Sequence, residues 1–317
     1  MDESDCCGNG CMSCILNVGL RKSDAVDLVG KYNVISIYQK FRLLERRSHN
    51  PKAFNSTHSN EDLPKVLELH FKAADLPIDS GDYILDIPVG YHIMMRTKLP
   101  NDVVWLRPYS PFWVDALALE FKILVNLSPN GYMSRYISGL QPGDLVEFRG
   151  PIGAYERTTR NCEDSCVFVI TQGVAIAPTL RIVKRILDNE EDFSRVIQLA
   201  CYRDLKHSYF RDKLKEFNKY WNYSSRIYLA HQRCSKEMCE DSKCTGKCDW
   251  FQSKLWYKEL VYSQRLNLSE LENICNVIKK DTKLEFVIAG SKKFQEAVNE
   301  MIHKSTIEAL EENIFML

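Results

Sequence analysis

The chain has 317 residues, of which 45% are hydrophobic and 26% charged, and this length and balance favour two ordinary globular domains. Its 42 Lys and Arg residues equal its 42 Asp and Glu residues, so no net charge favours nucleic acid or an anionic membrane as the main partner. No segment approaches the roughly 18 apolar residues of a membrane span, and the acidic start is not a secretory signal, so we expect a cytoplasmic protein.

Residues 1–30 form a separate cysteine-rich segment with little apolar periodicity. It contains Cys6, Cys7, Cys11 and Cys14, four soft ligands that can bind zinc or an iron–sulfur cluster. Adjacent cysteines seldom bind one tetrahedral metal, because their side chains diverge. A flexible thiol-rich tail is therefore the alternative to a metal site.

Residues 31–157 have the pattern of an antiparallel β-barrel. Val34–Tyr38 is rich in β-branched residues, and apolar residues alternate with polar ones over 67–71. Proline and glycine then separate further short strands, at 92–99, 103–109, 117–125 and 145–149. This regular series predicts a barrel of about six strands.

Residues 165–317 change to alternating strands and helices, which predicts a parallel α/β domain. The predicted strands lie at 166–170, 196–202, 226–230 and 284–289. Ser269 and Glu272 have the spacing of a capping box at a helix start. The fold class is therefore α+β with two domains, an antiparallel barrel followed by a nucleotide-binding α/β domain.

A polar, cysteine-rich insertion at 232–265 interrupts the second domain and fits no period. Its cysteines are Cys234, Cys239, Cys244 and Cys248. They can form a zinc clip that orders the insertion, or they are loose thiols of a solvated loop.

The segment Arg107-Pro108-Tyr109-Ser110 follows a predicted strand and combines a cation, a phenol and a hydroxyl. A flavin nucleotide needs all three, since arginine binds pyrophosphate and hydroxyls bind the ribityl chain and ring edge. Alone, the segment also fits an arginine that pairs with a carboxylate at a strand end.

Two glycine-containing segments add phosphate-binding chemistry. Gly131 and Ser134 can open a helix whose free N–H groups receive a phosphate. The turn from Gly173 to Pro178 leads from the first strand of the α/β domain into its helix. Open parallel sheets bind nucleotides at such turns.

The order of these motifs resembles the NADH–cytochrome b5 reductase family, within the ferredoxin-reductase-like flavoproteins. The match is closest to the cytochrome b5 reductase-like branch, which also begins with a segment like Cys6–Cys11. The resemblance implies FAD bound by Arg107, Pro108, Tyr109, Ser110, Gly131, Met133 and Ser134. It also implies a nicotinamide dinucleotide held by Gly173, Pro178 and Gly290, with Ser110 as the residue that tunes the flavin ring.

The chain departs from the family at the dinucleotide turn. The family turn reads roughly Gly-Gly-Thr-Gly, whereas here Gln172 to Ala175 read Gln-Gly-Val-Ala. A Cβ at Ala175 can crowd a backbone that must approach the dinucleotide closely. In addition, Ala289 replaces a family cysteine, and Tyr132 stands where a lysine is common.

We therefore expect an FAD-dependent reductase that passes electrons from NADH to a one-electron acceptor such as cytochrome b5. Basic residues over 203–215 are a solvated helix face or a docking site for an acidic haem protein. The main alternative is a flavin-binding scaffold or regulatory protein with weakened or lost reductase activity. A third is a metal or thiol protein centred on the N-terminal cysteines.

Overall fold

A computed structural model of the chain describes residues 31–49, 66–76, 82–98, 103–157, 164–232, 248–305 and 311–317. The chain divides into two compact units, Met1–Tyr155 and Glu156–Leu317, which we call the first and the second unit. In the described part of the chain, no helix has the length and apolar character needed to cross a membrane.

The first unit is built on an antiparallel sheet that is barrel-like but not closed. Over the described residues, its strands are β2 Gln39–Ser48, β3 Val66–Ala73, β5 His92–Lys98, β6 Val104–Tyr109, β7 Trp113–Asp115, β8 Glu120–Asn126 and β9 Leu145–Ile152. They follow the order β6-β5-β9-β2-β3-β8-β7. A separate parallel pair joins β1 Tyr32–Asn33 to β4 Tyr83–Ile84. The predicted fold class is confirmed, although the sheet has seven strands in these residues rather than six.

Inward-facing aromatic residues hold this sheet together. The rings of Phe41, Phe71, Phe121 and Phe148 are fully buried, on four different strands. Neighbouring rings in this group lie with centroids 5.0 to 5.7 Å apart. Such contacts each contribute about 0.5–1.5 kcal/mol beyond the area that they bury. The apolar residues that alternate with polar ones along the strands thus pack together in one shared core.

The prediction of a strand at Val34–Tyr38 is wrong, because this segment is a turn and bend that precedes β2. The Asn33 side chain organises the turn. Its Oδ1 accepts from Ile35 N at 3.4 Å, and its Nδ2 donates to Asp86 O at 2.8 Å. Val34 is nevertheless buried, so its apolar character reflects core packing rather than strand pairing.

The second unit is a six-stranded parallel sheet over the residues described, in the order β13-β12-β11-β10-β14-β15. Its strands are β10 Ser165–Gln172, β11 Arg195–Tyr202, β12 Tyr223–Leu229, β13 Leu260–Tyr262, β14 Lys283–Ala289 and β15 Ile314–Met316. The central strand β10 is buried on both faces, as the continuous apolar run from Cys166 to Ile170 predicts. The parallel α/β architecture is confirmed.

Helices connect these strands. The α-helices of the two units are Tyr132–Gly139, Ile176–Leu187, Arg211–Phe217, Asp249–Gln252, Leu268–Cys275 and Lys292–Lys304. Short 3₁₀ helices occur at Gly173–Ala175, Leu205–His207 and Glu311–Asn313. Apolar residues of Leu268–Cys275 and Lys292–Lys304 pack with β10 and β14 in one buried cluster.

The helix Leu268–Cys275 begins differently from the prediction. Asn267, not Ser269, caps it, and the Asn267 side chain accepts from Glu270 N at 3.0 Å. Asparagine caps well because its short side chain reaches the free N–H groups of the first turn. The true cap therefore lies two positions before the residue that the capping-box spacing selects.

Part of the insertion at 232–265 has regular structure, contrary to its lack of sequence period. Asp249–Gln252 is helical, and β13 extends the parallel sheet beside β12. Cys248 precedes the helix as its N-cap. The three other cysteines of the insertion, Cys234, Cys239 and Cys244, lie outside the described residues.

Candidate functional site

Strand β6 carries the predicted flavin motif at its end. Trp105, Arg107 and Tyr109 alternate along it and are all half-buried. Burial raises the pKa of the Tyr109 phenol above its usual range, so the hydroxyl keeps its proton and can donate. Nη1 of Arg107 donates to Leu106 O at 2.7 Å. Ser110 follows the strand and is also half-buried.

Gly131 and Ser134 form the start of the helix Tyr132–Gly139. Gly131 is the N-cap, and no side chain caps the helix there. The first N–H groups of a helix have no intrahelical partner, so this end can receive an anion. A Cβ at Gly131 would lie 3.0 Å from Ser134 Oγ, so any side chain there would crowd the turn.

Two of the predicted residues have structural contacts at this turn. The Ser134 hydroxyl accepts from Ser128 N at 2.9 Å and thereby braces the approach to the helix. The Met133 side chain is buried in the core of the first unit. A phosphate at the helix start would therefore meet the backbone of Met133 and not its thioether.

A row of aromatic and cationic side chains brings the strand motif and the helix start together. The Trp105 and Tyr132 rings lie with centroids 4.9 Å apart. The Arg107 guanidinium lies 5.3 Å from the centroid of the Trp105 ring, and that of Arg135 lies 4.6 Å from the centroid of the Tyr132 ring. We call these four residues the aromatic–arginine row. Through these ring contacts the row connects Arg107, near the end of β6, with Tyr132 and Arg135 in the first turn of the helix. Guanidinium groups favour a bound anion.

The indole of Trp105 supplies a test of whether a nucleotide fits. Its Nε1 is buried and has no hydrogen-bond partner among the described residues. A buried donor without an acceptor costs about 1–3 kcal/mol, which an acceptor from a ligand would relieve. Together with the uncapped helix start and two arginines, this donor fits the pyrophosphate of FAD.

Sequence reasoning missed Trp105 and Arg135. The signal for Trp105 was its position two residues before Arg107, because side chains two apart in a strand share a face. Arg135 gave no comparable signal. Its position at the helix start depends on its contact with the Tyr132 ring. In the sequence, Tyr132 indicated only that a lysine common in the family is missing.

The predicted dinucleotide residues meet at the carboxyl edge of the second unit's sheet. Thr171 pairs with Ala289 in register, so the segments that begin at Gln172 and Gly290 leave the sheet side by side. Gly173 has a left-handed φ of +59°, which glycine adopts without strain. Pro178 lies in the first turn of Ile176–Leu187, where proline is tolerated.

Two residues that depart from the family pattern, Ala175 and Ala289, lie at this edge of the sheet. Ala175 has φ −69° and ψ −1°, so its backbone conformation is an ordinary one that needs no glycine. The effect of its Cβ on a bound dinucleotide stays a prediction. Ala289 is buried, at the last position of β14.

Most of the predicted basic docking patch at 203–215 is engaged within the second unit. Arg211 forms hydrogen bonds to both carboxylate oxygens of Glu259, and its guanidinium lies 4.2 Å from the Trp256 ring centroid. Lys213 donates to Glu216 at 2.7 Å. Lys215 lies 4.9 Å from the Trp256 ring centroid. The contacts of Arg211 and Lys215 connect the helix Arg211–Phe217 to the insertion, whereas that of Lys213 lies within the helix.

The metal hypothesis is not tested by the described residues. In those residues no three His, Cys, Asp or Glu side chains come together in a way that suits a metal ion. Cys6, Cys7, Cys11 and Cys14 all lie in 1–30, outside the described ranges. A metal at the N-terminal cysteines therefore stays a prediction.

Residues 67–156 match the family described as oxidoreductase FAD-binding domain. The chain is 22% identical over 233 residues to the NADH-cytochrome b5 reductase-like protein of Mus musculus, covering 72% of each chain. It is 33% identical over 184 residues to NADH-cytochrome b5 reductase 1 of Aspergillus terreus, covering 55% of this chain and 60% of that one. The chain spans about half the length of other such relatives, 49% for a human one and 47% for one from Lodderomyces elongisporus.

Solved structures share the fold. The cytochrome b5 reductase domain of Ulva prolifera nitrate reductase has a TM-score of 0.63 at 16% identity, covering 90% of this chain and all (100%) of that one. A ferredoxin NADP+ reductase from Neisseria gonorrhoeae has a TM-score of 0.62 at 14% identity, covering 88% of this chain and 98% of that one. The sequence matches confirm the resemblance to NADH–cytochrome b5 reductases and support an FAD-binding oxidoreductase that uses NADH or NADPH, and the solved structures confirm the fold.

Proposed function

From this similarity, we propose that the chain is an FAD-dependent reductase that takes electrons from NADH and passes them to a one-electron acceptor such as cytochrome b5. The observation that carries the proposal is the aromatic–arginine row at the start of the helix Tyr132–Gly139. The row connects two cations and the unpaired indole N–H of Trp105 to the helix start, where the first backbone N–H groups are uncapped by a side chain. A bound flavin supplies the ability to accept two electrons together and release them singly.

Several of the predicted residues have distinct proposed parts in holding FAD or the dinucleotide. Arg107 and the N–H groups that follow Gly131 would bind the pyrophosphate, since both favour negative charge. Tyr109, which keeps its phenolic proton, and Ser110 would donate hydrogen bonds to the ribityl chain and the ring. In the second unit, Gly173 and Gly290 would let a dinucleotide approach the backbone at the sheet edge.

The absorbance spectrum of purified full-length protein tests the flavin. We expect about one FAD per chain, with the bands of oxidised flavin. Mixing with NADH without oxygen should bleach those bands, and added cytochrome b5 should restore them. A colourless protein that reconstitution with FAD cannot colour would contradict the proposal. A yellow protein that neither NADH nor NADPH bleaches would instead establish the flavin-binding scaffold.

The orphan indole donor gives a sharper prediction. Replacing Trp105 with Phe keeps a ring beside Tyr132 but removes the N–H group. If that group donates to the pyrophosphate, FAD affinity should fall about three- to tenfold, the value of one hydrogen bond of about 1 kcal/mol. Affinity for FMN, which lacks the pyrophosphate, should change by less than about twofold. Titration of flavin-stripped protein, followed by flavin fluorescence, measures both.

Trp113→Phe is the matched control. Trp113 belongs to the same sheet, and in the described part of the chain its ring contacts join it to His70 and Lys122 and not to the four residues of the aromatic–arginine row. Its replacement should leave both affinities unchanged. Equal losses of FAD and FMN binding in Trp105→Phe would show that the indole supports the fold of the site and does not contact the pyrophosphate.

A further inference from the structure

Gln172 and Ser291 connect the two chain segments that leave the carboxyl edge of the second unit's sheet. Gln172 ends β10, and Ser291 follows β14 and is the N-cap of the helix Lys292–Lys304. Gln172 Oε1 accepts from Ser291 Oγ at 2.8 Å and from Ser291 N at 3.3 Å. The side chain of Gln172 thus lies across the edge where open α/β sheets bind nucleotides.

These two bonds determine which way the Gln172 amide faces. A backbone N–H can only donate, so the atom that faces Ser291 must be the carbonyl oxygen. The Nε2 group therefore faces away from Ser291. Gln172 is exposed, and its Nε2 has no acceptor within the part of the chain that the structure describes. Two N–H donors are thus presented at the edge of the sheet in a defined orientation.

Gly290 makes room for this arrangement. A Cβ at Gly290 would lie 3.0 Å from the Gln172 Cβ and 2.6 Å from Phe294 Cδ1. A larger residue would therefore push the Gln172 side chain off the edge or displace a ring. On the other side, a Cβ at Gly173 would meet nothing within 4 Å, so the space beside the turn is open.

We propose that Gln172 is a binding residue for the pyridine dinucleotide, with its Nε2 group donating to an oxygen of that ligand. Ser291 is the positioning residue that holds the amide in this orientation. The proposal rests on the proposed function, since it requires a dinucleotide at this edge. The family turn has a glycine at this position, and a glycine can offer only its backbone N–H. In this chain the Gln172 side chain adds two N–H donors. The oxygen acceptor belongs to the pyrophosphate or to the nicotinamide carboxamide.

The test is equilibrium binding of tetrahydro-NAD, which cannot reduce the flavin, to full-length flavin-loaded protein by titration calorimetry. Gln172→Ala should weaken binding about fivefold, as expected for one lost hydrogen bond. Gln172→Glu should weaken it about tenfold or more, because a carboxylate still accepts from Ser291 but cannot donate. Gln141→Glu, at an exposed position in the first unit, makes the same change of charge and should have no effect.

Variants of Ser291 test whether this residue positions the Gln172 amide. Ser291→Ala should weaken binding about twofold to threefold, since the backbone N–H still orients the amide, and Ser291→Thr should restore it. The fragments ADP-ribose and nicotinamide mononucleotide identify the oxygen. If only nicotinamide mononucleotide binds less tightly to Gln172→Ala than to wild type, the acceptor is the nicotinamide carboxamide, which ADP-ribose lacks. If ADP-ribose binds less tightly, the acceptor is the pyrophosphate, which ADP-ribose contains whole.

Wild-type affinity in both Gln172 variants would overturn the inference. Tighter binding in Gln172→Ala would also overturn it, because Gln172 would then obstruct the edge. If NADH still bleaches the wild-type flavin in either case, the proposed function stands without the inference. If wild-type protein binds no dinucleotide, both the inference and the use of NADH are wrong, and the absorbance spectrum decides the flavin separately.

Discussion

Replacing Arg157 with Ala is expected to lower the free energy of unfolding by about 3–5 kcal/mol, because it removes the cation from a buried cluster. Arg157 bonds to Asp192 and to the Ser194 hydroxyl, and its Nε lies 4.0 Å from Glu285 Oε2. The side chains of Arg157, Asp192 and Glu285 are 12%, 8% and 0% exposed. Two carboxylates would lose their cation where water cannot replace it. Urea denaturation followed by circular dichroism measures the change.

Lys184→Ala is the control for this measurement. Lys184 pairs with Asp188 on the surface, with side chains 65% and 44% exposed, so its loss should cost at most about 0.5 kcal/mol. Arg157→Lys should recover part of the stability, since it keeps the charge but not the planar guanidinium. An Arg157→Ala protein as stable as Lys184→Ala would mean that the cluster relaxes or admits water.

Replacing Arg107 with Ala is expected to weaken FAD binding by one to two orders of magnitude. A charge-assisted hydrogen bond contributes about 1.5–3 kcal/mol, and each 1.4 kcal/mol is about a factor of ten in affinity. Nη1 of Arg107 donates to the carbonyl of the preceding residue, Leu106, and the side chain is half-buried rather than part of the core. We therefore expect the fold to survive. Titration of flavin-stripped protein with FAD measures the loss.

Two further variants make the Arg107 result specific. Arg107→Lys should bind FAD with intermediate affinity, because it keeps the charge and loses the fork of donors. Arg47→Ala removes an exposed arginine from β2, which pairs with Glu45, and should have no effect. Unchanged FAD affinity in Arg107→Ala would exclude Arg107 from the flavin site, and the aromatic–arginine row would then need another explanation.

The local sequence pattern predicted the structure correctly where a single chain segment determines it. The apolar run from Cys166 to Ile170 predicted a strand buried on both faces, and β10 is such a strand. The same reasoning failed at Val34–Tyr38. There the Asn33 side chain competes for backbone groups and makes a turn, although the residues favour a strand. The β-propensity of these residues alone cannot decide between a strand and a turn.

The candidate sites divide in the same way. The sequence by itself determined the fold class, the resemblance to NADH–cytochrome b5 reductases and the segments at Arg107, Gly131 and Gly173, because each depends on neighbours along the chain. Only the tertiary structure decided that Trp105 and Arg135 join them, and that Gln172 meets Ser291. The last contact joins residues 119 positions apart, which strand register alone brings together. Parallel pairing of β10 with β14 is a property of the whole sheet, so no local pattern could have predicted that contact.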